Sequence, residues 1–159
     1  MNKKMLTLGG LFMFMVSCAS VPTWVNKTAS SHKECRDTIC AVGMADATIK
    51  SMSLREETAE TRGRARVLEI IESRIKTNIT DIRAAEGENT EKAIKQIAEG
   101  SLSGVYAADK YVSSDGRVYL LMRLEPTKFK KIIEDNKEIN EATRDFLRKR
   151  ADELLKSEE

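Results

Sequence analysis

Residues 105–124 constrain the fold more than any other stretch. Two runs, Val105 to Val112 and Arg117 to Leu124, flank Ser113-Ser114-Asp115-Gly116. A strand, an Asp-Gly turn and a second strand make a hairpin signal, because Gly accepts the positive φ that a tight turn demands. Side chains alternate along a strand. Val118, Leu120, Met122 and Leu124 therefore point one way, and Tyr119, Leu121 and Arg123 the other. Both faces are substantially apolar. Such a strand needs cover on both sides, or an oligomer interface.

The cover is legible upstream and downstream. Ile39 to Ala45 is a short, continuous apolar run of a length suited to a buried strand. Ser53 then opens a long helix, with Ser53-Leu54-Arg55-Glu56 reading as a capping box. Thr58, Thr61, Ala65, Leu68, Ile71, Ile75, Ile79 and Ile82 follow at three- and four-residue steps, which puts them on one face. Gly63 lies inside this helix and costs about 1 kcal/mol relative to Ala. Close approach to a neighbouring strand is the expected reason. Gly87 and Asn89 mark a break. Thr90 to Ser101 reads as a shorter helix with Ala93, Ile94, Ile97 and Ala98 inward. Gly100 and Gly104 bracket the change to strand.

Pro126 suits the first position of a final helix. Phe129, Ile132, Ile133, Ile139, Phe146, Leu147, Leu154 and Leu155 form its stripe, and Asp135-Asn136 is where it bends or splits. Residues 156–159 are expected to fray. The order β-α-α-β-β-α describes an α+β domain over residues 38–155. It predicts a small, mainly antiparallel sheet of about three strands, covered by the long helix and the C-terminal helix.

The amino terminus reads as an address. Lys3 and Lys4 precede Met5 to Val16, a 12-residue stretch with nine apolar residues and no charge. A spanning helix needs about 20 residues, so residues 1–17 read as a secretory signal peptide. Ser17, a small residue, comes just before Cys18, directly after the apolar run. This resembles the bacterial lipobox, in which the cysteine gains diacylglycerol by a thioether and cleavage makes it residue one. Met15 stands where that pattern prefers Leu. Ala19 follows the cysteine, and the absence of Asp there points to outer-membrane sorting. Several acyl chains on Cys18 would hold the chain at a bilayer, where one alone binds marginally. Residues 18–37, polar and containing Pro22, read as a lipidated tether. Trp24 is expected to pack back onto the domain, with a seat at the bilayer interface as the competing reading.

This cleavage changes the charge argument. The chain has 27 basic residues, and losing Lys3 and Lys4 brings them level with its 25 acidic ones. A neutral mature chain gives no reason to invoke nucleic acid.

An ordered set of residues resembles a known family. The set is a lipobox Cys18, Pro22-x-Trp24-Val25, the strand Ala41-Val42-Gly43-Met44-Ala45, Ala59-x-x-Arg62-Gly63-Arg64-Ala65-Arg66, and Asp115-Gly116-x-Val118-Tyr119-x-Leu121. It resembles the twenty-kilodalton outer-membrane lipoprotein family (the LPP-twenty type), related to flagellar outer-membrane-associated lipoproteins. Gly63 stands where Ala is usual. The resemblance implies a membrane-anchored α/β domain without known enzymatic activity.

Little else carries chemistry. Cys35 and Cys40 suit a disulfide outside the cytoplasm, with free thiols and a redox or metal role as the competing readings. His32 is the only histidine, and a site with Cys35 and Cys40 lacks a fourth ligand. No phosphate loop, dinucleotide turn or nucleophile elbow is present. The arginines of the long helix alternate with acids, which reads as a solvated surface. The expected function is a lipid-anchored, non-enzymatic protein of the bacterial envelope, outer membrane and facing the periplasm. It needs no cofactor, and its partners are the membrane, through the diacylglycerol and acyl chain on Cys18, and envelope proteins, including a second copy. The alternatives are a flagellar or outer-membrane assembly factor, and a periplasmic enzyme or small-ligand-binding domain. The second alternative requires a pocket of convergent polar groups.

Overall fold

The computed structural model describes residues 20–80, 89–137 and 139–156. Its elements are α1 (Thr23–Asn26), β1 (Cys40–Ala45), α2 (Met52–Thr80), α3 (Asn89–Ser101), β2 (Val105–Val112), β3 (Val118–Leu124), α4 (Pro126–Asp135) and α5 (Glu141–Leu155). Single 3-10 turns lie at Ala29–Ser31, Lys33–Cys35 and Leu102–Gly104. The α+β reading and its order hold for the described chain, with the short α1 added ahead of β1.

The sheet is antiparallel with order β1-β3-β2. The doubly apolar strand is therefore the central one. On one face, Val118, Leu120, Met122 and Leu124 join the main core with residues from α2 to α5. On the other, Leu121 is fully buried with Trp24 and Cys35. The hairpin turns at Gly116, whose φ is +86°. The Ser113 hydroxyl and the Arg117 N–H both donate to the Asp115 carboxylate and hold it below the usual carboxylate range.

α2 departs from the expected face. Its buried row is Ala59, Gly63, Val67, Ile71 and Ile75. Ile71 and Ile75 were expected there, but Thr61 and Ala65 are exposed, and Thr58 and Leu68 are half-buried. The Ile79 side chain and Ile82 lie outside the described residues. The reason is the close crossing of α2 over β1. A Cβ on Gly43 would stand 1.8 Å from the Ala59 carbonyl oxygen and 2.5 Å from the Gly63 nitrogen. Two glycines meet backbone to backbone, and that contact turns the helix so that Gly63 faces the sheet. The approach expected of Gly63 is thus to Gly43.

The capping box is displaced too. Ser51, not Ser53, caps α2: its carbonyl accepts from the Arg55 N–H at 3.0 Å and its hydroxyl from the Leu54 N–H at 3.4 Å. Leu54 then occupies the third helical position, so Glu56 does not complete a box.

The remaining elements follow the sequence closely. Ala93, Ile94, Ile97 and Ala98 are buried on α3. Pro126 opens α4. The C-terminal helix splits after Asp135 and restarts at Asn140, whose side chain accepts from the Thr143 N–H at 2.8 Å. Gly87 and residues 157–159 lie outside the described residues.

Candidate functional site

The sheet face away from the main core is closed by residues 22–38. This segment, expected as a tether, is a folded cover. Trp24 is 3% exposed, and its indole N–H donates to the Asp109 carboxylate at 2.9 Å. His32 places Nε2 3.8 Å from the same carboxylate. The Arg123 side chain donates to the Glu34 carbonyl at 2.9 Å. The Thr38 hydroxyl, buried, donates to the Leu124 carbonyl at 2.6 Å. A large ring with a satisfied N–H helps to order a polar stretch, since it buries much area at little side-chain entropy.

Cys35 and Cys40 are joined, with Sγ atoms 2.06 Å and Cα atoms 5.7 Å apart. The bridge ties the end of the cover to the start of β1. Its ring is small, so the loop-entropy estimate is about 2 kcal/mol. Cys40→Ser is expected to lower the unfolding free energy by about that amount. Urea titration with and without reductant checks it, and an unchanged midpoint on reduction would count against a structural bridge.

The three arginines of the helix motif are backbone clamps. Arg62 donates to the Met44 carbonyl at 2.9 Å and Arg66 to the Val42 carbonyl at 3.1 Å. Arg64 donates to the Leu102 carbonyl and pairs with Glu60, both at 2.9 Å. Residue spacing showed mixed charge on this helix, but not that the carbonyls of a neighbouring strand were the acceptors. Asp109 was missed as well. The signal for it was an acid breaking the apolar alternation of β2 at Ala107-Ala108-Asp109, where the register slips against β3.

A groove of about 620 Å³ runs along the outer side of β1. Trp24, Val25 and Ala29 form one wall, Val42 and Met44 the floor, and Arg66 and Ile70 the other wall. Among the described residues, no group of three His, Cys, Asp or Glu side chains converges as a metal site. His32, Cys35 and Cys40 do not form one, since both thiols are spent in the bridge. The depressed carboxylates lie outside the groove. Asp46 and Asp115 are held by turn donors beside the hairpin, first among them the Thr48 N–H and the Ser113 hydroxyl. Glu134 is held by Arg148 between α4 and α5. Cys18 and residues 1–17 lie outside the described residues. Among those described, no helix is long and apolar enough to cross a membrane. No protein-family model matches the chain, and no curated protein matches it.

Proposed function

We propose that this chain is a lipid-anchored bacterial envelope protein, held at a membrane by an acylated Cys18, whose folded part acts by contact rather than by catalysis. The observation that carries the reading is the apolar, uncharged run Met5 to Val16 ending at Ser17-Cys18, with Lys3 and Lys4 before it. Among the described residues, Trp24 and Cys35 close the sheet face at Leu121, so that face does not require the run. The resemblance to the LPP-twenty type of lipoprotein, and Ala19 after the cysteine, favour the outer membrane.

The cover changes the mechanical picture. Trp24 lies only six positions after Cys18, and six extended residues span roughly 20 Å. An acylated Cys18 therefore presents the domain close to the bilayer, with the cover side nearest it. Of residues 18–37, expected as a lipidated tether, only the few before Trp24 then serve as a short leash.

Metabolic labelling with radioactive palmitate tests the anchor. The wild-type chain is expected to carry label and to partition with membranes, and Cys18→Ala to lose both. Label that persists in Cys18→Ala would overturn the proposal.

A further inference from the structure

β1 is an edge strand, paired with β3 on one side only. The Ile39 carbonyl accepts from the Leu124 N–H, so the odd-numbered residues of this stretch face β3. In an antiparallel ladder a residue's own N–H and C=O point the same way. The carbonyls of Val42 and Met44, and with them their N–H groups, therefore face outward. The two carbonyls are held by Arg66 and Arg62. The two N–H groups open onto the groove whose floor these residues form.

Charge selects what fits there. Among the described residues, neither Arg62 nor Arg66 pairs with a carboxylate, and Lys27, on the opposite wall, has no acidic partner either. Glu69 is the acid among the lining residues. The edge thus presents backbone donors and three cations that, among the described residues, have no carboxylate partner. Both arginines are exposed, so their side chains are free to exchange one acceptor for another. A carboxylate is the better acceptor, because a charge-assisted hydrogen bond is about twice as strong as a neutral one.

We propose that this groove binds an extended acidic peptide segment of a partner protein as an added strand on β1. The peptide's carbonyls accept from the Val42 and Met44 N–H groups. Its carboxylates take Arg62, Arg66 and Lys27, and the arginines release the strand carbonyls for the peptide's own N–H groups. Apolar side chains at alternate positions rest against Val25, Ala29 and Ile70. This is recognition by strand addition, with main-chain bonds for affinity and side chains for selectivity. It requires the edge and not the acylation of Cys18, so the two fail separately.

The test uses the full-length chain in detergent with two fluorescein-labelled probes, a short alternating Glu-Val peptide and an alternating Lys-Val peptide. The Glu-Val probe is expected to bind about tenfold tighter or more, since its carboxylates make charge-assisted hydrogen bonds that the Lys-Val probe cannot. The Val42 and Met44 amides are expected to shift in the NMR spectrum. Arg62→Ala with Arg66→Ala should lose that preference, and Arg62→Glu with Arg66→Glu should transfer it to the Lys-Val probe. Equal binding of both probes, or Glu-Val binding unchanged in the arginine variants, would overturn the proposal. So would self-association of the Ala variant, which would make the arginines guards against edge-to-edge pairing.

Discussion

Gly43→Ala is expected to destabilise the protein by about 3 kcal/mol or more, the upper end of overpacking costs. The added Cβ would lie 1.8 Å from the Ala59 carbonyl oxygen, and its next neighbours are the Gly63 nitrogen at 2.5 Å and Cα at 2.8 Å. All three are backbone atoms of a helix, so no side chain can turn aside. Relief requires α2 to lift from β1. That movement also pulls Arg62 and Arg66 away from the strand carbonyls. Gly63→Ala is the informative partner. Its Cβ would meet the Met122 side chain at 2.3 Å and the Gly43 backbone at 3.2 Å. Met122 is fully buried and is met at its Cγ, so it must change rotamer, but a methionine side chain can move where helix backbone cannot, and alanine recovers about 1 kcal/mol of helix propensity. The loss at Gly63 should therefore be clearly smaller. Urea titrations of the two variants check the order, and equal losses would contradict the backbone crossing.

Trp24→Ala is expected to cost about 3 kcal/mol, the low end for a buried aromatic. Trp24 is 3% exposed, and truncation leaves a void over Leu121. The lost bond to Asp109 adds little, because that side chain is 42% exposed and rehydrates. The damage should be local. The main core contains neither Trp24, Cys35 nor Leu121. Hydrogen exchange is expected to rise over residues 23–35 and at Leu121, while Val67, Ile71 and Ile97 stay protected. Trypsin should then cut at Lys27 and Lys33. Uniform loss of protection across the chain would show that cover and core unfold as one unit.

What the sequence disclosed and what it hid divide along one line. Features set by neighbours in the chain were readable: the turn at Asp115-Gly116, Pro126 opening α4, the split after Asp135, and the inward set on α3. Features set by a contact across the fold were not. Ser51 and Ser53 are both good caps, and only the path of the chain out of β1 selects Ser51. Thr61 and Ala65 fit the helical period as well as Gly63 does, and only the backbone crossing at Gly43 turns them outward. Residues 22–38 have the composition of a linker, yet Trp24, Asp109 and the Cys35–Cys40 bridge fasten them down. Arg62 and Arg66 read as solvated charge because their acceptors are carbonyls, which no residue type announces. Gly63 was legible in part: a glycine within a long helix implied a close approach, but not its partner.

These contacts give the proposed anchor its consequence. With the cover fixed, the chain between Cys18 and the fold is short, and the β1 groove, walled by Trp24 to Ala29, belongs to the side nearest the anchor. The most direct measurement is mass spectrometry of the amino-terminal peptide of the chain isolated from membranes. The expected result is a peptide that begins at Cys18 and carries the mass of diacylglycerol. A peptide beginning at Met1 or Ala19, or an unmodified Cys18, would contradict it.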